Sequence, residues 1–185
     1  MRVLIPLLST IALTLPALAA PAPIQTAPET HPVGDIPDTQ AFVRYVSAAG
    51  GYSLDVPEGW ARTVQGASTV FSSKLGTVAI LSGLAQRPPS VASVRAGPLA
   101  LLARADPTLR VSLVKGVRLP SGPAILARFT STGEPNAVTG RRPPLDNDYY
   151  VIHGNGRQLT LRLSGPRGSD NVDAWTRIAR SLAWR

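Results

Sequence analysis

The chain has 185 residues with no cysteine, 19 Lys and Arg against 11 Asp and Glu, and a formal net charge of +8. The missing cysteines exclude a disulfide framework, thiol catalysis and lipidation at cysteine, so the fold must rest on an ordinary hydrophobic core. The basic excess suggests anionic neighbours, although Lys74 and Lys115 are its only lysines and an Arg, Ala, Gly and Pro bias is also what a GC-rich genome produces.

Residues 1–20 read as a secretory signal: Arg2 is a positive n-region, Val3 to Leu15 an apolar h-region, and Ala17-Leu18-Ala19 a small-residue cleavage pattern. Pro6 and Pro16 interrupt it, and no basic stop-transfer run follows, so no transmembrane segment is expected after cleavage. The expected organisation is a signal at 1–20, a Pro/Ala-rich flexible linker at 21–40 that includes His31, and one folded domain at 41–185. The expected location is exported, either periplasmic or secreted.

The domain opens with Phe42 and Tyr45 in a short element, and Gly50-Gly51 turns it into a second one. Tyr52, Leu54 and Val56 alternate with Ser53 and Asp55, the period of a half-buried strand. Pro57 and Gly59 suit the second and fourth positions of a type I turn, which would deliver Trp60 back toward the strand it left. Two apolar runs, Ser68 to Ser73 and Thr77 to Leu84, then form a hairpin, and the second hardly alternates, so it is expected to be covered on both faces.

Ser90 caps a helix carrying Val91 and Val94; Gly97-Pro98 is expected to break it and Pro98 to restart it, with Leu99, Leu102 and Ala103 on its apolar face and Asp106-Pro107 as its end. Leu109 to Leu119 and Ala124 to Thr132 follow as strands. With Ser121-Gly122 at their tip, Lys115 faces Arg128. Either Gly116 forms a bulge that relieves this like-charge pair, or the two cations hold an anion between them; strand glycines more often mark bulges.

After a polar loop with Arg141-Arg142 comes Asn155-Gly156, a type I′ hairpin signal. Counting outward pairs Ile152 with Leu159 and Tyr150 with Leu161 on a core face. The other face is mixed, with Tyr149 across from Arg162, Val151 across from Thr160 and His153 across from Gln158. Asp170 is expected to cap a last helix whose Val172, Trp175, Ile178, Ala179 and Leu182 make one apolar stripe, with Arg180 and Arg185 toward its C-terminus.

Phe42, Tyr45 and the run from Gly51 to Trp60 resemble the opening hairpin of the PsbP-like family, within the Mog/PsbP-like α/β/α sandwich superfamily, which includes exported bacterial members. The likeness continues at Leu119 to Ala124, at the Tyr150 to Leu163 hairpin and at Ile178 to Leu182. The resemblance implies an α+β fold, an antiparallel β-sheet sandwiched between helices, with Tyr52, Pro57, Gly59, Trp60 and Trp175 as structural residues. It also implies a non-catalytic accessory or binding protein.

No residue constellation argues against that. Asp146, Asp148 and His153 lack the spacing of a zinc or calcium site. Ser112-x-x-Lys115 sits in a strand without partner motifs, and no Gly-x-Ser-x-Gly elbow exists. The Gly165 to Gly168 turn before the last helix looks like an anion nest, but Asp170 and Asp173 already occupy that helix end. No catalytic, cofactor-binding or metal residue is therefore assigned, no cofactor is expected, and the sparse aromatics argue against nucleic acid. Tyr149, Arg162, Arg141, Arg142 and Arg157 form the candidate surface for a partner, an envelope protein or anionic envelope component. Two alternatives stand beside it: a carrier or sensor of a small or lipid-like ligand in a sheet–helix pocket, announced by a large apolar cavity beneath Trp175, and a hydrolase using a pair drawn from Asp55, Glu58, Asp146 and Asp148.

Overall fold

A computed structural model describes residues 34–185; the expected signal and the spacer up to residue 33 lie outside the described residues. Strands β1 (Phe42–Ser47) and β2 (Tyr52–Pro57) form the opening hairpin. The next three, β3 (Ala61–Gln65), β4 (Ser68–Ser73) and β5 (Gly76–Leu84), form a meander. A helical segment follows, α1 (Val91–Val94), a π-helical turn (Arg95–Leu99) and α2 (Ala100–Ala105). Then come β6 (Arg110–Leu119), β7 (Gly122–Thr132), β8 (Pro144–Gly154), β9 (Arg157–Pro166), α3 (Val172–Arg180) and the short β10 (Ala183–Trp184). All pairings are antiparallel, in one seven-stranded sheet of order β3-β4-β5-β9-β8-β7-β6 and one three-stranded sheet of order β1-β2-β10.

The large sheet is covered on both faces, as an antiparallel sheet needs if both of its faces carry apolar side chains. On one face, Trp175, Ile178 and Ala179 of α3 and Tyr52, Leu54 and Val56 of β2 close over Leu126, Tyr150, Ile152, Leu159, Leu161 and Leu163. Trp175 and Ile178 are 8% and 0% exposed, and burial of each contributes about 1.5–3 kcal/mol. On the other face, Val94 and Leu99 of the helical segment seal Ile125, Ala127, Phe129, Tyr149 and Val151. The fold is thus α+β with helices on both sides of an antiparallel sheet.

The β8–β9 hairpin has the register its turn dictates. Asn155 and Gly156 lie at φ 51 and 68, the two positive values a type I′ turn requires, and Ile152↔Leu159, Tyr150↔Leu161 and Tyr149↔Arg162 are all paired. Ser90 caps α1 as expected, in a reciprocal pair with Ser93.

Several expectations are corrected. The spacer does not extend to residue 40: Ile36 is in the core at 5% exposure, its amide donates to Asn171 Oδ1 at 2.7 Å, and Asp35 Oδ1 accepts the Asp170 amide. Asp170 is not the cap of α3; Asn171 takes that place, and its side chain holds Gly34 and Ile36 rather than the helix. Val172 is 53% exposed and off the stripe. The helix stops at Arg180, and Trp184 joins β2 instead, donating its indole N–H to Ser121 O. Trp60 is half-buried against the main core, but the chain after it does not pair with β2: it crosses into the large sheet as β3. β5 is central but covered on one face only: Val78, Ile80 and Ser82 are buried, while Leu81 on the opposite face is 53% exposed.

Gly97-Pro98 does not break the helical segment either. The chain stays helical through a π turn, whose wider coil accommodates the ring and missing N–H of Pro98. Lys115 faces Leu126 and Arg128 faces Leu113, since the β6–β7 tip is Pro120-Ser121 and the register shift falls between Val111 and Leu113, not at Gly116. Arg128 answers to Asp148, at 2.8 Å, so the alternatives posed for the Lys115–Arg128 pair both lapse.

Candidate functional site

The five residues expected to face a partner are not one surface. Tyr149 is 8% exposed, sealed beneath the helical segment, which the pattern of the hairpin alone does not reveal. Burial pushes its hydroxyl pKa up. Arg157 sits beside the hairpin tip, donating to Gly50 O. Five residues of strand separate it from Arg162, about 16 Å. Arg141 and Arg142 are exposed in the loop between β7 and β8. That loop is closed by backbone bonds from Gly133 N to Pro143 O and Asn136 N to Arg141 O, both 2.8 Å, while Asn136 Oδ1 accepts the amides of Val138 and Thr139.

Arg142 and Arg162 do come together, in the walls of a cavity of ≈ 480 Å³ where the end of α2 meets the sheet. Asp106, Thr108, Thr132 and Glu134 share its lining, with Leu102, Pro107 and Leu109 as apolar wall. Arg162 is half-buried and is held by a polar network inside the second core. Its Nε donates to Asn147 Oδ1 at 2.9 Å and its Nη2 to Ser131 Oγ at 3.3 Å. Ser164 Oγ donates to the same Asn147 oxygen at 2.6 Å, and Asn147 Nδ2 donates to Ser131 Oγ at 2.9 Å and Phe129 O at 3.2 Å. The guanidinium also lies 5.5 Å from the centre of the Phe129 ring, a cation–π distance.

Among the described residues no carboxylate comes within ion-pair distance of Arg162, whose charge is therefore answered only by neutral acceptors. Burial lowers its pKa, while Asp106 nearby raises it. Asp106 itself is occupied: Oδ1 accepts the Thr108 hydroxyl and amide and Oδ2 accepts the Thr132 amide. These bonds, the Thr108 hydroxyl first, hold its carboxyl below the usual range. Asn147, Ser131, Ser164 and Asp106 were not expected as site residues from the sequence, Asp106 being read only as a helix end; it alone, two residues before Thr108, carries a local signal, that of an Asx turn.

The other candidates resolve into structural roles. The cavity touching Trp175 is ≈ 210 Å³ and has Arg128, Asp146, Asn147 and Asp148 in its walls, so it is not the large apolar space a lipid carrier needs. Asp55 is paired with Arg44 at 3.0 Å and Asp148 with Arg128, and Asp146 Oδ2 accepts the Gly168 amide. The turn that resembled an anion nest thus spends donors on Asp146 and Asp35 of its own chain. His153 Nε2 lies 3.0 Å from Ala85 O. Of the structural residues, Tyr52 and Pro57 are buried, Gly59 has φ 81 and Trp60 is half-buried against the main core.

No family model matches the chain, and no curated protein matches it in sequence. Solved structures do. Cyanobacterial PsbP (CyanoP) from Synechocystis sp. PCC 6803 superposes with a TM-score of 0.60 at 14% identity, covering 89% of this chain and 100% of that one. The Ran-binding protein Mog1p of Saccharomyces cerevisiae superposes with a TM-score of 0.54 at 7% identity, covering 79% and 96%. At these identities the likeness concerns the fold, and the fold is the PsbP/Mog1-like one.

Proposed function

We propose that the chain is an exported, non-enzymatic accessory or binding protein of the cell envelope that engages an acidic partner with the end of the domain bearing Arg141, Arg142 and Arg162. The observation that carries this reading is Arg162: a half-buried cation with no carboxylate of the described residues within ion-pair distance, in a cavity lined by a second arginine beside Asp106 and Glu134. A partly buried cation that no carboxylate touches is costly, and an incoming anion in contact with it relieves that cost. Export rests on the signal read in residues 1–20. A neighbour in fold is named for binding another protein, a use of this scaffold that agrees with protein contact here.

Tyr149 and Arg157 drop out of the proposed surface, the first covered and the second at the far end of its strand. Arg162 cannot be removed casually either, because it is part of the core network. The test is therefore the Arg141→Gln, Arg142→Gln double variant of the full chain, cross-linked in its native envelope. Capture of a discrete partner by the wild type and its loss in the variant, with amide spectra otherwise superimposable, is the expected result. Undiminished capture by the variant refutes the assignment of this end.

A small-ligand carrier is the second reading, favoured by the volume of the same cavity, which falls within the 300–1,000 Å³ of ligand sites.

A further inference from the structure

We infer that the group recognised in this cavity is a single carboxylate, seated end-on against Arg162; the inference rests on the reading of this end as the binding end. A guanidinium has two edges able to hold a pair of oxygens. Here the edge made by Nε and Nη2 is committed to Asn147 Oδ1 and Ser131 Oγ. The end-on edge, formed by Nη1 and the second Nη2 hydrogen, has no acceptor among the described residues. The network fixes the orientation of the plane, so the edge is preorganised for a planar, two-oxygen acceptor rather than merely cationic.

The charges around the cavity limit what that acceptor is. Arg142 and Arg162 face Asp106 and Glu134 across one lining, so the site is close to neutral and suits one negative charge. A phosphate dianion meets two carboxylates where a carboxylate brings only one charge against them. Asp106 cannot swing over to neutralise Arg162, since both of its oxygens are held by Thr108 and Thr132. Leu102, Pro107 and Leu109 give the bound acid a short apolar wall. The carboxylate comes either from a free short-chain acid or from an acidic side chain of the partner, and the two sources are separated by experiment.

The full chain is titrated with butanoate, with inorganic phosphate and with an end-blocked Ala-Glu-Ala peptide, following the Arg162 side-chain N–H signals and the Leu109 and Thr132 amides by NMR. Saturable movement of these signals by butanoate or by the peptide is expected, with a dissociation constant on the order of 1 mM. Response to butanoate alone makes the occupant a free acid; response to the peptide alone, or to both, makes a partner's side chain a fitting source. Arg162→Lys, which keeps the charge but not the fork, should weaken binding on the order of tenfold, and the exposed Arg142→Gln, which gives up only an exposed bond to Gly133 O, should weaken it less.

Absence of saturable movement with either carboxylate overturns the inference, as does phosphate binding as tightly as both, or unchanged affinity in a natively folded Arg162→Lys. Because these titrations contain no partner, their failure leaves the envelope cross-linking result standing, and failure of the cross-linking leaves theirs.

Discussion

Asn147→Ala offers the strictest check on the account of the second core. The Asn147 side chain is 2% exposed and joins four groups on the two flanking strands: it accepts from Arg162 Nε and Ser164 Oγ of β9 and donates to Ser131 Oγ and Phe129 O of β7. A hydrogen bond to a charged donor contributes about 1.5–3 kcal/mol and a neutral one about 1 kcal/mol, and buried groups left unpaired cost more than that mean. With water entering the vacated space to satisfy part of the network, a loss of about 3–5 kcal/mol is expected. That is a large share of the roughly 5–15 kcal/mol that holds a domain together, equivalent to a midpoint about 10 °C lower. Urea and thermal unfolding followed by the fluorescence of Trp60, Trp175 and Trp184 measure it directly. Asn147→Asp keeps an oxygen facing both Arg162 and Ser164 while losing both donations, so it should fall between wild type and Asn147→Ala. A loss below about 1 kcal/mol for Asn147→Ala would show that Arg162 is not anchored in the way described.

Two further expectations concern stability. The Tyr52 hydroxyl is buried without a hydrogen-bond partner, the hydroxyls of Thr69 and Ser47 lying near it without completing one, and burial raises its pKa. Tyr52→Phe should therefore be neutral or stabilise by up to about 1 kcal/mol; a loss beyond that in urea unfolding would mean the hydroxyl is satisfied. Asp106 is ionised more readily folded than unfolded, so its contribution is present above the unfolded carboxylate value of about 3.9 and is lost as pH falls through the lower folded value. Asp106→Asn should flatten the acid limb of the stability profile below about pH 4, by a small amount because solvent screens this partly exposed group; an acid limb as steep as that of the wild type would remove Asp106 from the account.

Where the sequence was legible, one local rule decided the geometry. Asn155-Gly156 allows only the tightest hairpin, and every pair from His153↔Gln158 to Tyr149↔Arg162 follows from it. The β6–β7 tip was misplaced by one residue because Ser121-Gly122 has good turn chemistry. Gly122 is needed for another reason: at φ 131 a Cβ there would stand 2.8 Å from His153 O, so this glycine answers to the neighbouring strand rather than to the turn. Leu81 misled in the opposite sense, since an unbroken apolar run reads as covered on both sides and only the position of residues 91–105, laid over β7 and β8 instead, shows that it is not. The same placement made the candidate site half readable. The exposed Arg141-Arg142 pair was visible as a basic loop, but Arg162 changes from a surface cation to the floor of a cavity only once a helix from another part of the chain lies across its face.

The strand order has a consequence for how the domain comes together. Every other junction in the large sheet joins strands adjacent in the chain; β5–β9 alone does not, its register running from Thr77↔Ser164 to Leu84↔Arg157. The sheet is therefore two locally zipped panels, β3-β4-β5 and β6-β7-β8-β9, stitched along one non-local seam. Closing that seam carries the loop entropy of the intervening chain, a cost that none of the hairpin junctions bears, and its ladder of eight residue pairs offsets it. Arg162 stands on the seam, opposite Ala79, so the residue that opens onto the cavity is also placed where the two panels are joined.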